Sequence, residues 1–292
     1  MTQIGEPHCL WPLGAELGEG PVWSPAEQAV WFVDIKRARI HRYDIRSGEG
    51  RSWDAPAPPG FLAPRRGGGF IVGLKSGLCH FDPASGAFTS RGPIAEEAEG
   101  NRLNDGAVDR SGRLWFGSMD DAEERPSGRL YCVERGGPSS RDDGYVITNG
   151  PAFSPDGRVL YHTDTLERVI YAFDIDQDGG LANKRVFVRI EAAGGYPDGP
   201  TVDAEGCLWT GLFGGWGVRR YAPSGELLAR VAFPCANVTK IAFGGPDLRT
   251  AYATTARKGL SAQELEAQPL SGALFAFEVD VPGLEQHDVG YG

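Results

Sequence analysis

The chain has 292 residues, enough for one large domain or two small ones, with 42 glycines and 21 prolines beside 41% hydrophobic and 10% aromatic residues. That balance excludes a disordered chain and points to many short strands joined by tight turns. A formal net charge of −10 excludes the basic footprint of a nucleic-acid binder and suits a cation site or a neutral substrate better than a phosphorylated one.

The N-terminal stretch Met1 to His8 has no basic or apolar leader segment, and no 18-residue apolar run occurs in the chain. The expectation is a cytoplasmic monomer without a membrane anchor. Cys9, Cys79, Cys132, Cys207 and Cys235 are odd in number, scattered, and form no CxxC. A disulfide framework or a thiolate zinc site is not expected.

Two patterns then alternate along the chain. The first is an apolar residue, a Ser or Asp, a glycine-containing turn and an aromatic strand. It starts at Trp23-Ser24 before Val30-Trp31-Phe32, and is weakest at Arg65 to Val72. It returns at Val108-Asp109, Phe153-Ser154, Val202-Asp203 and Phe243-Gly244. Spacings of roughly 41, 44, 45, 49 and 41 residues match propeller blades. The second pattern is an aromatic strand running into an acidic or Ser-Gly turn. Its copies are Ile40–Asp44, Leu78–Asp82, Leu130–Glu134, Ile170–Asp174, Val218–Ala222 and Leu274–Glu278. Six units of two hairpins predict an all-β, six-bladed β-propeller spanning residues 1–292 as one domain, with a central metal site. Residues 261–269 are the one plausible helical turn, an insertion in the last blade. A strand near Cys9–Ala15 is expected to close the ring on that blade.

In a propeller, equivalent positions of each blade lie equally far from the axis. Four residues before the apolar residue of the first pattern stand Glu19, Asn104, Asn149, Asp198 and Thr239; the second blade offers no polar residue near Gly60-Phe61-Leu62. Glu19-Gly20-Pro21, Asn149-Gly150-Pro151 and Asp198-Gly199-Pro200 share one frame. Glycine allows a positive φ and close approach, and proline fixes entry to the strand. Two carboxylates and an amide oxygen converging on the axis call for a divalent cation, Ca²⁺, Mg²⁺, Mn²⁺ or Fe²⁺, with Zn²⁺ also able to bind. Three protein ligands leave positions open for water and substrate.

These residues resemble the senescence-marker-protein, gluconolactonase and luciferin-regenerating-enzyme family. The resemblance rests on Gly18-Glu19-Gly20-Pro21-Val22-Trp23, Asn101-Arg102-Leu103-Asn104-Asp105-Gly106, Gly117-Ser118-Met119, Thr148-Asn149-Gly150 and Pro197-Asp198-Gly199. It covers essentially the whole chain. It implies that Glu19, Asn149 and Asp198 ligate the metal, that Arg102 and Asn104 hold substrate oxygens, and that the reaction is hydrolysis of a small-molecule sugar lactone. The family's sugar-binding carboxylate falls in the loop Asp120 to Glu124, with Asp121 the candidate. Asp198 is also the candidate proton acceptor.

A pentonolactone such as xylonolactone or arabinonolactone, or gluconolactone, is the expected substrate. Competing readings are a non-enzymatic cation-binding regulator and a phosphotriester hydrolase. Asp120, Tyr196 and Trp216 are further candidates for the pocket rim. Asp174 to Gly179 begins like an EF-hand loop, but Arg185 stands at position twelve, so a hairpin turn is expected. Gly67-Gly68-Gly69 precedes a strand and is likewise a turn. No Gly-x-Ser-x-Gly or His-Glu-x-x-His occurs, and the five histidines show no paired spacing.

Overall fold

Each sequence pattern occupies a fixed strand of every sheet. In the computed structural model, which describes residues 4–95, 97–134 and 137–290, the chain forms six four-stranded antiparallel sheets. The first blade comprises β2 (Gly18–Ser24), β3 (Ala29–Asp34), β4 (Arg39–Asp44) and β5 (Gly50–Asp54). The second comprises β6 (Pro59–Pro64), β7 (Phe70–Leu74), β8 (Gly77–Asp82) and β9 (Ala87–Ser90). The third comprises β10 (Asn101–Val108), β11 (Leu114–Asp120), β12 (Gly128–Glu134) and β13 (Gly137–Tyr145). The fourth comprises β14 (Thr148–Phe153), β15 (Val159–Asp164), β16 (Val169–Ile175) and β17 (Leu181–Arg189). The fifth comprises β18 (Tyr196–Val202), β19 (Leu208–Phe213), β20 (Gly217–Tyr221) and β21 (Leu227–Ala232). The sixth takes β22 (Val238–Gly244), β23 (Thr250–Thr255) and β24 (Leu274–Glu278) from the end of the chain and β1 (His8–Trp11) from its start.

The closing strand is shorter than expected. Its register pairs His8 with Ala276 and Trp11 with Leu274, and it stops there. Pro12 follows Trp11 and has no N–H to continue the ladder. The helical insertion is α1 (Ala262–Ala267). Ser261 caps it: its side chain accepts from the Glu264 amide while the Glu264 carboxylate accepts from the Ser261 amide at 2.7 Å.

A twisted sheet cannot bury both faces alone, so the blades stack radially. Among the described residues six apolar clusters result, one at each junction between neighbouring blades. Trp31 and Val33 of the first blade pack with Leu62, Phe70 and Phe81 of the second. At the ring closure, Trp23 and Phe32 pack with Tyr252 and Leu274 of the sixth. The Ser-or-Asp position of the first pattern gives these cores a polar anchor. Asp109 accepts from the Trp115 indole N–H and Asp203 from that of Trp209, both at 2.9 Å, while their other oxygens hold the turn amides of Ser111 and Glu205.

All six inner strands are interrupted at one height. The register shifts between Glu19 and Val22, Pro59 and Phe61, Leu103 and Gly106, Asn149 and Ala152, Pro197 and Pro200, and Val238 and Ile241. Such a bulge bends a strand and re-aims the side chain beside it. It is how a flat ladder turns polar residues of the inner strands toward the axis.

The missing polar residue of the second blade has a steric cause. A methyl group on Gly60 would sit 2.2 Å from the Asn104 carbonyl oxygen and 2.5 Å from that of Leu103. The second blade gives up a side chain so that β10 can close in. Gly60→Ala is expected to destabilise the fold by about 1–3 kcal/mol or more through overpacking. Denaturant unfolding checks this, and an unchanged midpoint would contradict it.

The far end of the central channel is crossed by the C-terminal segment. The Pro282 carbonyl accepts from Ala204, and the Val289 and Gly290 amides donate to Pro64 and Gly112. Beneath it lies a cavity of about 320 Å³ lined by apolar inner-strand residues and by Leu284 to His287. Among the described residues, no helix is long and apolar enough to cross a membrane.

Candidate metal centre

The opposite end of the channel holds the polar residues. Glu19, Arg102, Asn104, Asn149 and Asp198 lie at the starts of their inner strands, and all are 3–6% exposed. Each is aimed by local contacts. Gly20, at φ +55°, turns its amide back to the Glu19 carboxylate at 2.9 Å. The Asp198 backbone carbonyl accepts from Thr210 at 3.2 Å and Thr163 at 3.4 Å, one hydroxyl from its own blade and one from its neighbour.

Asn149 is oriented from both ends. Its Nδ2 donates to Thr165 Oγ1 at 2.9 Å, which turns Oδ1 toward the axis. There Oδ1 accepts from Asn104 Nδ2 at 3.0 Å. Asn104 Nδ2 also donates to the Thr148 carbonyl, and Asn104 Oδ1 accepts from Arg102 Nη1 at 2.6 Å. A single chain of bonds therefore runs Arg102, Asn104, Asn149, Thr165. It fixes which carboxamide atom faces the pocket.

The two carboxyls face each other within hydrogen-bonding reach. Burial is the largest cause raising the pKa of both; repulsion from Asp105 raises Glu19 further while its contact with Asp198 lowers it, and Glu19 and Asp105 both raise Asp198. No protein N–H reaches the Asp198 carboxylate among the described residues. Two buried carboxyls without a cationic contact, beside an oriented amide oxygen, fit a hard divalent cation. Among the described residues, no three His, Cys, Asp or Glu side chains form a set able to hold a metal ion by themselves, and Asn149 Oδ1 is an oriented oxygen beside the two carboxyls.

The shifts carry a pH signature. In the metal-free protein the folded state keeps protons that the unfolded chain releases near the ordinary carboxylate pKa. The stability that these two groups contribute is therefore present in full below the ordinary carboxylate pKa and is lost as pH rises through the raised values. Glu19→Gln removes the part of that loss that belongs to Glu19. The metal-free variant is expected to melt above the wild type by a margin that widens between about pH 5 and pH 8. A gap that does not change with pH would contradict the facing-carboxyl geometry.

At the mouth, Asp121 is gripped by three cations: Lys75 at 2.6 Å, Arg102 at 3.3 Å and Lys36 at 3.5 Å. Partial burial would raise its pKa, but these charges hold it below the usual range. Arg102 thus bridges the mouth to Asn104, and its pairing with Asp121 lies within one blade. Asp120 does not face the pocket. It is buried on Arg125 at 2.7 Å and on the Glu124 amide at 3.0 Å, and these contacts lower its pKa to about 2. Glu123 pairs with Lys258 across the ring. Tyr196 stacks under Arg168, 4.0 Å from guanidinium to ring, and Trp216 is exposed.

Three expectations need correction in detail. Thr239 does not point to the axis: its hydroxyl donates to the Gly18 carbonyl at 2.7 Å and meets Thr254, tying the sixth blade to the first. Gly199 does not have the positive φ of Gly20 and Gly150. It is glycine because a methyl group there would lie 2.6 Å from Lys240 Cδ. The third is an omission. Lys240, one residue past the predicted position, reaches across the channel to Asp105, with Nζ 2.6 and 2.7 Å from the two oxygens. The signal was present as charged residues directly after Asn104 and Thr239. The Asp174 and Gly67 segments form hairpin turns, as expected: Asp176 accepts from Asp178 and Gly180, and Gly67 to Gly69 connect β6 and β7.

These features define a six-bladed propeller with an axial pocket of two carboxyls, two carboxamides and a guanidinium. The chain belongs to the SMP-30/gluconolactonase/LRE-like family, whose model matches residues 17–257. It is similar to a 6-deoxy-6-sulfogluconolactonase of Pseudomonas putida, 42% identical over 274 residues and covering 91% of this chain and 92% of the relative. Regucalcin of Danio rerio is 33% identical over 265 residues, covering 89% and 90% of the two chains. The crystal structure of a calcium-binding regucalcin from Agrobacterium tumefaciens superposes with a TM-score of 0.94 at 30% identity, covering 98% of each chain.

Proposed function

We propose that this chain is a metal-dependent sugar lactonase, opening an aldonolactone to the aldonic acid. The observation that carries it is the pair of facing carboxyls, Glu19 and Asp198, beside the oriented oxygen of Asn149 and next to the Arg102–Asn104 pair. The names of the relatives support the same chemistry. Glu19, Asn149 and Asp198 would hold the cation; Ca²⁺, Fe²⁺, Mn²⁺, Mg²⁺ and Zn²⁺ all accept such a set. When bound, the cation supplies Lewis acidity toward the lactone carbonyl and the attacking water.

The chain's own groups do the rest. Hydrolysis forms one bond from the water oxygen to the carbonyl carbon and breaks the ring C–O bond. Asp198, buried at the axis, would accept a proton from the water and return it to the departing ring oxygen, a role that competes with its part in holding the cation. Arg102 and Asn104, locked together at 2.6 Å, orient the lactone oxygens, and Asp121 at the mouth meets the sugar hydroxyls. The substrate we propose is a pentonolactone or gluconolactone. A second reading, an anionic hexonolactone of the kind named for the Pseudomonas relative, is favoured by the gathering of Lys36, Lys75 and Arg102 at the mouth.

Acid release from xylono-, arabinono-, glucono- and 6-deoxy-6-sulfogluconolactone, with and without chelator, tests the proposal and ranks the substrates. Rates that match spontaneous hydrolysis for every lactone would overturn it.

A further inference from the structure

The pair formed by Asp105 and Lys240 is the most buried charge pairing at the axis that the reaction scheme leaves unused. Asp105 lies on β10 of the third blade and Lys240 on β22 of the sixth. In a six-membered ring those blades are opposite, so the bond spans the channel. Both residues are nearly inaccessible, at 3% and 8% exposed. Asp105 is held further by the amides of Gly106 and Gly150, each at 2.8 Å, which brings in the fourth blade. The Lys240 stem runs over Gly199, the residue after Asp198, in the space that a methyl group there would fill. Lys240 and Gly106 also line the apolar cavity on the far side. The pair is therefore a floor between that cavity and the carboxyl pocket.

Its charge bears on the pocket as directly as its shape. Asp105 is a third carboxylate beside Glu19 and Asp198. Three uncompensated carboxylates in one buried pocket would repel strongly at low effective dielectric. Lys240 cancels one of them and leaves two, the charge that a single divalent ion matches. Its ammonium bonds both Asp105 oxygens, makes no direct bond to Glu19 or Asp198 among the described residues, and acts on Glu19 only through space.

We propose that the Asp105–Lys240 bridge is a positioning element for the cation site: it keeps Asp105 from adding a third uncompensated negative charge to Glu19 and Asp198 and fixes the floor on which they stand. The proposal rests on the cation-site reading above. A bridge with only a structural role would change stability but not cation affinity in the folded protein.

The test is calorimetric titration of metal-stripped full-length protein with Ca²⁺ and with Mn²⁺, alongside thermal melting. Lys240→Met leaves Asp105 unpaired and is expected to tighten cation binding about tenfold; Asp105→Asn leaves an unpaired ammonium and is expected to weaken it at least as much. The double variant D105N/K240M restores the charge balance and should return to within about threefold of wild type. Lys240→Arg keeps the charge and should do the same, and it serves as the reading if a charge-changing variant does not fold, with Lys240→Gln as its counterpart. Wild-type binding with equal affinity in all folded variants would overturn the bridge proposal alone. No saturable cation binding by the wild type would overturn the cation site itself.

Discussion

Replacing Glu19 by glutamine is expected to lower lactone hydrolysis at least about a hundredfold and to weaken cation binding by a similar factor. Loss of a contact that merely supports a ligand costs about 10–100-fold in metal affinity or activity, and Glu19 is proposed as a ligand itself. The substitution keeps the shape of the side chain and removes its charge. The Gly20 amide still has an oxygen to donate to, so the local turn should survive. Initial rates across a range of added cation, with titration of the stripped variant, check this. A variant with wild-type rate and wild-type cation affinity would remove Glu19 from the site.

Arg102 carries the second large effect. Its guanidinium donates to Asn104 Oδ1, pairs with Asp121, and is buried among carboxylates. Arg102→Met removes a charge-assisted hydrogen bond, worth about 1.5–3 kcal/mol, so kcat/KM should fall roughly ten- to a hundredfold. Arg102→Lys should recover little, because an ammonium cannot reproduce the planar fork that meets two partners at once. Cation affinity should change far less than in the Glu19 variant, since Arg102 reaches Asn149 only through Asn104. Equal losses of cation affinity and of kcat/KM would show that Arg102 serves the ligand set and not the substrate.

Much of this architecture was legible in the chain, and for a physical reason. The second sequence pattern falls on β4, β8, β12, β16, β20 and β24, the third strand of each blade, because those strands are buried between neighbours and must be apolar and aromatic. The outermost strands gave no such signal. In β5 the residues Gly-Arg-Ser-Trp-Asp are mostly exposed, and in β17 the run Leu181–Arg189 is largely so. A strand that faces water on one side and an edge on the other need not be apolar.

The polar residue of each blade was legible where a glycine frame repeats, as at Glu19 and Asn149. It was not in the sixth blade, where the bulge leaves two polar residues, Thr239 and Lys240, unpaired side by side: Thr239 turns to the Gly18 carbonyl and Lys240 enters the channel. The pairing of Lys240 with Asp105, 135 residues away, depends on six blades closing a ring and has no local trace. Gly60 shows the same limit: it looked like a gap in the pattern, and it is the space that β10 fills.

The central claim is that Glu19, Asn149 and Asp198 together hold one divalent cation. Its most direct test is the stoichiometry of cation binding to metal-stripped protein, measured by equilibrium titration and elemental analysis for the wild type and for Glu19→Gln. The expected result is one tightly held ion per wild-type chain and a largely empty variant under the same conditions. A wild type that holds no ion, or a variant that holds it as well as the wild type, would contradict the account.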